Sequence, residues 1–471
     1  MKTIIKNGTL VTAETSFKAD VLIEGETIQE IAESINFDDA KIIDASEKLV
    51  LPGGIDPHVH FELEMMGTVS SDDHYSGGKA AVFGGTTTVI DFVSQGPGSL
   101  EESIKNHRQM ADPKASIDYS VHMNISRFND EVAEQIAYLP SLGVTTIKVF
   151  TAYNGRLRIS DADIYKAMRV AGKNDILTML HAENGDVIDV LVEEALEAGH
   201  SEPIWHAWTR PKWGAVEASL RAFALAAQAD APVYLVHMNT AGEVDQLAYA
   251  RSKGIYAMGE TCPQYLFFTE EELLRTDGAK WICSPPMRNK EDNSGLWNGL
   301  VDGTIQVLAT DHCPFFFNGE KEIMYEGKPV RIPGKELGQD DFTKIPNGLP
   351  GVGDRLPVFW SHAVATGRIS PERFVALSST NPAKIFGLYP KKGSIQPGSD
   401  ADLAIWDPNL EVKYGVNIAK HRTDYNLYEG WNLKGFPITV MQRGNVLVDR
   451  GKWFGKPGQG QFLSRLSGEV L

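Results

Sequence analysis

Six side chains in this 471-residue chain could gather around metal ions. His58 and His60 stand one residue apart in Pro57-His58-Val59-His60. On an extended backbone they share a face, because strand side chains repeat every second residue. Two imidazoles on one face at a strand end make a metal clamp; the plainer alternative is one core and one exposed histidine. Lys148 sits inside Thr146-Ile147-Lys148-Val149-Phe150. A lysine there would be buried, and a buried, unpaired ammonium is costly. Burial also lowers a lysine pKa. A neutral amine can take up carbon dioxide as a carbamate, which carries two oxygen ligands and one negative charge. His181, His237 and Asp311 complete the set. Taken singly, the two histidines also read as satisfied core residues and Asp311 as a cap or turn residue. Together the six offer imidazoles, a possible carbamate and a carboxylate. Nitrogen and oxygen donors without thiolate suit zinc in an open catalytic site, with manganese or nickel tolerated. Two metals about 3.5–4 Å apart can share a hydroxide nucleophile and polarise a carbonyl.

Such residues need a scaffold that brings distant segments to one place. Strand-like runs occur at Leu49 to Ile55, Thr86 to Phe92, Ile117 to Ile125, Thr145 to Tyr153, Ile176 to His181, Pro232 to His237, Ile255 to Glu260 and Ile305 to Thr310. Amphipathic stretches lie between them, among them Asp161 to Gly172, Asp186 to Gly199 and Ala215 to Ala231. Eight strand-helix repeats predict an α/β fold, a parallel (β/α)8 TIM barrel, whose active site lies at the C-terminal strand ends. All six candidates fall at such ends. A doubly wound open sheet is the competing architecture, but no GxGxxG follows the first strand.

The flanks read differently. Residues 1–51 contain short strands with hairpin signals at Asn7-Gly8 and Glu24-Gly25, too little chain for a core of its own. Strand-turn character returns after Tyr389, at Ala401 to Trp406 and at Ile438 to Gln442 turning into Val446 to Val448. We expect 1–51 and 389–455 to pair as one β-sandwich beside a barrel over 52–388. The arm 456–471 is either a frayed tail or an oligomer contact.

Hydrophobic residues are 42% and charged residues 23%, an ordinary globular balance. The net charge of −17 argues against nucleic acid and anionic membrane surfaces as partners. The three cysteines, Cys262, Cys283 and Cys313, have no CxxC spacing, which fits a reducing compartment. The N-terminus is too short and polar for a secretory signal, and no apolar run approaches the roughly 20 residues of a membrane span. The expectation is a cytoplasmic protein.

Longer motifs then point to a family. Pro52 to His60, Gly67-Thr68-Val69 with Asp72-Asp73, Gly84 to Thr87, Lys148 to Tyr153, His181 to Asn184, Gly259 to Leu266, Cys283 to Pro286, Thr310 to Phe315 and Ile345 to Gly348 resemble the cyclic amidohydrolases of the dihydropyrimidinase and D-hydantoinase type. The resemblance covers almost the whole chain. It implies two zinc ions: His58, His60 and Asp311 hold one, His181 and His237 the other, and carbamylated Lys148 and a hydroxide bridge them. It implies Asp311 as general base, Tyr153 as a hydrogen-bond donor to the oxyanion, and Ser284 and Asn347 as holders of the ring imide through backbone groups. The implied reaction opens dihydropyrimidines and 5-substituted hydantoins, small cyclic ureides, to N-carbamoyl amino acids. A homotetramer or homodimer is implied as well.

Around these residues, His312, Cys313 and Cys262 read as structural, and Glu183 and Asn184 as orienters of His181. The loop Phe61 to Gly67, with Glu64 and Met65 where many relatives carry Pro and Phe, and the segment Asn154 to Leu157 are expected to line the substituent pocket. Allantoinase and dihydroorotase share the implied fold and metals. Dihydroorotase-like enzymes place an arginine two residues after the second histidine; Glu62 stands here and would repel a carboxylate. Relatives that serve as assembly proteins have lost metal ligands, whereas all six positions are intact in this chain.

Overall fold

The computed structural model describes residues 2–319, 323–325 and 327–471. Eight parallel strands follow one another around a barrel: Gly54–Val59, Thr86–Val93, Asp118–Asn124, Thr146–Phe150, Leu177–His181, Val233–Leu235, Ala257–Thr261 and Val307–Leu308. Each pairs with the next. The ring closes where His312 bridges Val59: the His60 N–H donates to the His312 carbonyl at 2.7 Å, and the His312 N–H to the His58 carbonyl at 3.3 Å. Apolar residues on both strand faces are buried, as parallel sheets require. Helices start where side chains can satisfy free backbone N–H groups: Ser99, Asn129, Ser160, Asn184, Thr240 and Asn289 cap the helices that follow them. Such a cap is worth about 1 kcal/mol.

The terminal segments form two further sheets. One has four strands, in the order Thr27–Ala32, Asp20–Glu24, Lys2–Lys6, Lys41–Asp44. The other has seven and joins both ends of the chain: Leu49–Pro52 pairs with Leu403–Lys413 on one side and Thr9–Val11 on the other. Ile5, Val21 and Ile28 from the first sheet and Leu10, Val50, Leu403 and Met441 from the second share one buried cluster, so the two sheets pack as a sandwich.

Two readings of the sequence need correction. The run Leu49 to Ile55 is not the first barrel strand. Its first part, Leu49–Pro52, belongs to the sandwich, and the barrel strand starts at Gly54. The chain changes sheets at Gly53, where an added Cβ would lie 2.1 Å from Thr87 Oγ1; the apolar composition runs straight through this crossing. The turn at Asn7-Gly8 does not make a hairpin either. Lys2–Lys6 pairs with Asp20–Glu24 and Lys41–Asp44, while Thr9–Val11 belongs to the other sheet. The hairpin at Glu24-Gly25 does form, with Gly25 at φ +64°.

The C-terminal arm folds back on the barrel floor. Leu463 N–H donates to the Tyr119 carbonyl at 2.7 Å, and Arg465 N–H to Gly143. The Arg465 side chain is buried among strand starts, donating to Ser120 Oγ at 2.9 Å and Thr146 Oγ1 at 2.7 Å.

Candidate active site

The six predicted ligands meet at the C-terminal mouth of the barrel. His58 Nε2 and His60 Nε2 lie 3.2 and 3.1 Å from Asp311 Oδ1. His181 Nδ1 and His237 Nε2 converge to 3.0 Å. Lys148 lies between these groups, its Nζ 3.1 Å from His58 Nε2 and 4.2 Å above the Phe92 ring. His237 and Asp311 follow strand ends with φ of +39° and +56°. Non-glycine residues seldom adopt such angles, and strain of this kind is held where surrounding structure enforces it. Here it turns both side chains into the mouth.

Burial sets the charge states. It pushes the Lys148 amine down to about 8 and the His60 imidazole down to about 4. His60 is therefore a neutral imidazole at neutral pH, the form able to hold a metal. Burial opposes the charge of Asp311, but the imidazoles of His58 and His60 outweigh it and hold the carboxyl well below its usual range. Neutral imidazoles at His60 and His237, an ionised carboxylate and a lysine of lowered pKa fit a divalent transition metal.

Two buried glutamates fix the histidine tautomers. Glu260 accepts the Nδ1–H of His58, which leaves Nε2 facing Asp311. Glu183 Oε2 accepts from His181 Nε2 at 2.9 Å, leaving Nδ1 facing His237. A hydrogen-bonded carboxylate behind a ligating imidazole orients the ring and raises its basicity.

A cavity of about 280 Å³ opens above these groups. Leu63, Glu64, Met65 and Met66 form one wall and Arg156 and Leu157 another, as expected from the two loops. Tyr153, at φ +67°, stands beside His181 with ring centres 5.0 Å apart. Burial raises its hydroxyl pKa, so it stays a neutral donor. Asn347 Nδ2 donates to Ser284 Oγ at 3.0 Å, and Asn347 Oδ1 is buried without a hydrogen-bond partner.

A model of the amidohydrolase family matches residues 49–447. The chain is 43% identical to the D-hydantoinase of Geobacillus stearothermophilus over 99% of its own length and 97% of that enzyme. It is 41% identical to the D-hydantoinase of Rhizobium radiobacter, covering 99% of each. The crystal structure of dihydropyrimidinase from Brevibacillus agri superposes with a TM-score of 0.95 at 42% identity, covering both chains completely. The chain belongs to the amidohydrolase family.

In this amidohydrolase several residues outside the predicted set serve the site. Glu260 lay inside a recognised motif, but nothing in the sequence ties it to His58, 202 residues away. The second and third strands contribute Phe92, stacked on His60 at 4.9 Å, and Asn124, whose Oδ1 is buried without a hydrogen-bond partner at the cavity wall. Below them His122 Nε2 donates to the Pro57 carbonyl at 2.9 Å, and its Nδ1 meets Thr146 Oγ1 at 2.5 Å. An interior polar residue at a strand end was the available signal for Asn124. His312 is structural, as expected: its Nδ1 accepts from the Gly351 and Val352 N–H groups, and its Nε2 faces Asp72. Asn184 is not an orienter of His181; it caps the helix Gly185–Glu197 and donates to Glu217. Glu62 does not face the cavity. Its carboxylate pairs with Lys114, so it offers no repulsion to a bound carboxylate. Among the described residues no helix is long and apolar enough to cross a membrane.

Proposed function

We propose that this amidohydrolase opens the cyclic amide bond of dihydropyrimidines and 5-substituted hydantoins, giving N-carbamoyl amino acids, at two zinc ions bridged by carbamylated Lys148. The observation that carries the reading is Lys148, buried between His58 Nε2 and the Phe92 ring with its amine lowered to about 8. A neutral amine there can react with carbon dioxide, and the resulting carbamate has an oxygen for each side of the site. His58, His60 and Asp311 would hold one ion and His181 and His237 the other. When bound, the ions lower the pKa of a water and polarise a carbonyl.

This chain's own groups do the rest. Asp311 takes the proton of the attacking water at a carboxylate oxygen and returns it to the leaving ring nitrogen. Tyr153 donates its hydroxyl proton as a hydrogen bond to the oxygen on which charge develops. Asn347 Oδ1, buried and unpartnered, is placed to accept a ring N–H, with Ser284 holding the amide in position. The reading gives Asn347 a side-chain role beside the expected backbone contacts. The relatives named above support the substrate class. The enzyme is taken to be cytoplasmic on its cysteine usage and a homotetramer or homodimer on its family likeness alone; sedimentation of the purified protein tests the oligomeric state.

The deciding experiment is ring opening by zinc-loaded protein with dihydrouracil, several 5-substituted hydantoins, allantoin and dihydroorotate. Opening of dihydrouracil or a hydantoin, abolished by chelation, upholds the reading. Turnover of allantoin or dihydroorotate alone overturns the substrate assignment.

A further inference from the structure

Behind the active-site wall lies a second cluster of ligating groups. His74 precedes the helix Ser76–Phe83, Asp91 lies on the strand Thr86–Val93, and His107 lies on the helix Leu100–Ala111. His74 Nε2 and His107 Nε2 each stand 3.5 Å from Asp91 Oδ2, and the three atoms lie within 4.8 Å of one another. All three are buried, and none has a hydrogen-bond partner. Buried polar atoms are rarely left so, and each orphan costs about 1–3 kcal/mol. Three of them aimed at one point need a common partner.

We propose that His74, Asp91 and His107 form a zinc site separate from the catalytic pair. Zinc holds nitrogen and oxygen ligands at about 2.0–2.2 Å, which sets tetrahedral ligand atoms about 3.4 Å apart. The two nitrogen-to-oxygen separations match this spacing and are too long for good hydrogen bonds. Burial keeps the His107 imidazole neutral, down to about 4, the form that binds metal, and it raises Asp91 well above the usual carboxylate range, so metal binding there would release a proton. The other Asp91 oxygen accepts the Phe92 N–H at 2.7 Å, which fixes the carboxylate's aim. Phe61 and Tyr119 wall the cluster, each with its ring centre 5.3 Å from that of His74. His107 is the least buried of the three, its side chain 9% exposed, and a water would complete the four ligands. Two imidazoles and one carboxylate form a nitrogen and oxygen set that suits zinc over calcium or magnesium.

The ion would clip two outer helices to the second barrel strand. The next residue on that strand, Phe92, packs against His58, His60 and Lys148. The site is thus a brace for the catalytic wall, and no catalytic step passes through it.

Two measurements on the full-length protein test this. Protein purified with zinc is assayed for metal by mass spectrometry, alongside His74→Phe and His107→Gln. Both variants should carry one zinc fewer per chain than the parent, with the other zinc content intact. Crystals of the parent protein should show an anomalous zinc peak among the three side chains, which covers the case of a variant that fails to fold. Equal zinc content in the parent and variants, with no peak there after soaking in millimolar zinc, overturns the proposal and leaves a proton-sharing network. Loss of the catalytic metals would instead appear as absent peaks at His58 and His181, so the two sites are judged separately.

Discussion

Glu260 accepts the Nδ1 proton of His58 across the barrel interior, and the same carboxylate takes the Tyr234 hydroxyl at 2.9 Å and the His237 N–H at 3.3 Å. One acidic side chain therefore sets the tautomer of His58 on the first strand and holds the backbone of His237 after the sixth. Glu260→Gln keeps the shape but weakens the hold on that proton. We expect metal affinity to fall about 10–100-fold, read by competition with a chelator, with activity recovering in excess zinc. Unchanged affinity would remove Glu260 from the site.

Lys148→Ala removes the amine at the centre of the ligand set. The variant should lose at least one metal per chain and fall to near-background turnover, because the proposed bridging carbamate would be lost with the amine beside His58. Full metal content with full turnover would refute a bridging role for Lys148.

Tyr153→Phe deletes one hydroxyl at the cavity. Removing a single donor to a developing oxyanion costs about 10²–10³ in turnover. We expect that loss in kcat with unaltered metal content, which separates charge stabilisation from site assembly. An unaltered kcat would exclude Tyr153 from the reaction.

Lys392 joins the barrel to the sandwich. Its buried Nζ lies 2.6 Å from Asp118 on the third strand, 2.9 Å from Asp400 and 2.8 Å from Asp402. Burial works against its charge, yet Asp402, Asp118 and Asp400 outweigh it and raise its pKa. Lys392→Met would leave buried Asp400 and Asp402 without their direct cation and Asp118 with Arg443 alone, a loss of about 3–5 kcal/mol. A clear drop in denaturation midpoint should follow; a shift under about 1 kcal/mol would show that the cluster relaxes without Lys392.

Acid sensitivity follows from the buried imidazoles. Burial lowers His60 and His107 to about 4. Between about pH 4 and 6.5 the unfolded chain binds protons at these positions that the folded chain refuses. The stability these two groups contribute is then complete above about pH 6.5 and falls with decreasing pH, by about 1.4 kcal/mol per unit for each. Melting curves of the parent should drop more steeply between about pH 6.5 and 5 than those of His107→Gln, which lacks one of the two groups, and equal slopes would contradict the assignment.

The strand-end residues were legible because the information is local. A period of two places His58 and His60 on one face, and alternating apolar runs with amphipathic stretches specify a barrel whose C-terminal ends face one mouth. That logic names His58, His60, Lys148, His181, His237 and Asp311 with no knowledge of their contacts. It failed at Leu49 to Ile55, where one apolar run serves two sheets, and at Asn7-Gly8, where the turn hands the chain from one sheet to the other.

The sequence by itself determined which groups the mouth would contain and the order of strands that carries them there. Only the tertiary structure decided how those groups are tuned. Glu260 meets His58, Arg465 of the terminal arm meets Thr146, Lys392 meets Asp118, and His74 and His107 close on Asp91. Periodicity and propensity act over a turn or a few strand residues, whereas these pairings arise only when the barrel closes and expels water. Nothing local in Lys391-Lys392-Gly393 shows that the docked sandwich buries Lys392 among three carboxylates. Burial sets each pKa and leaves particular atoms unpaired, and burial belongs to the closed fold.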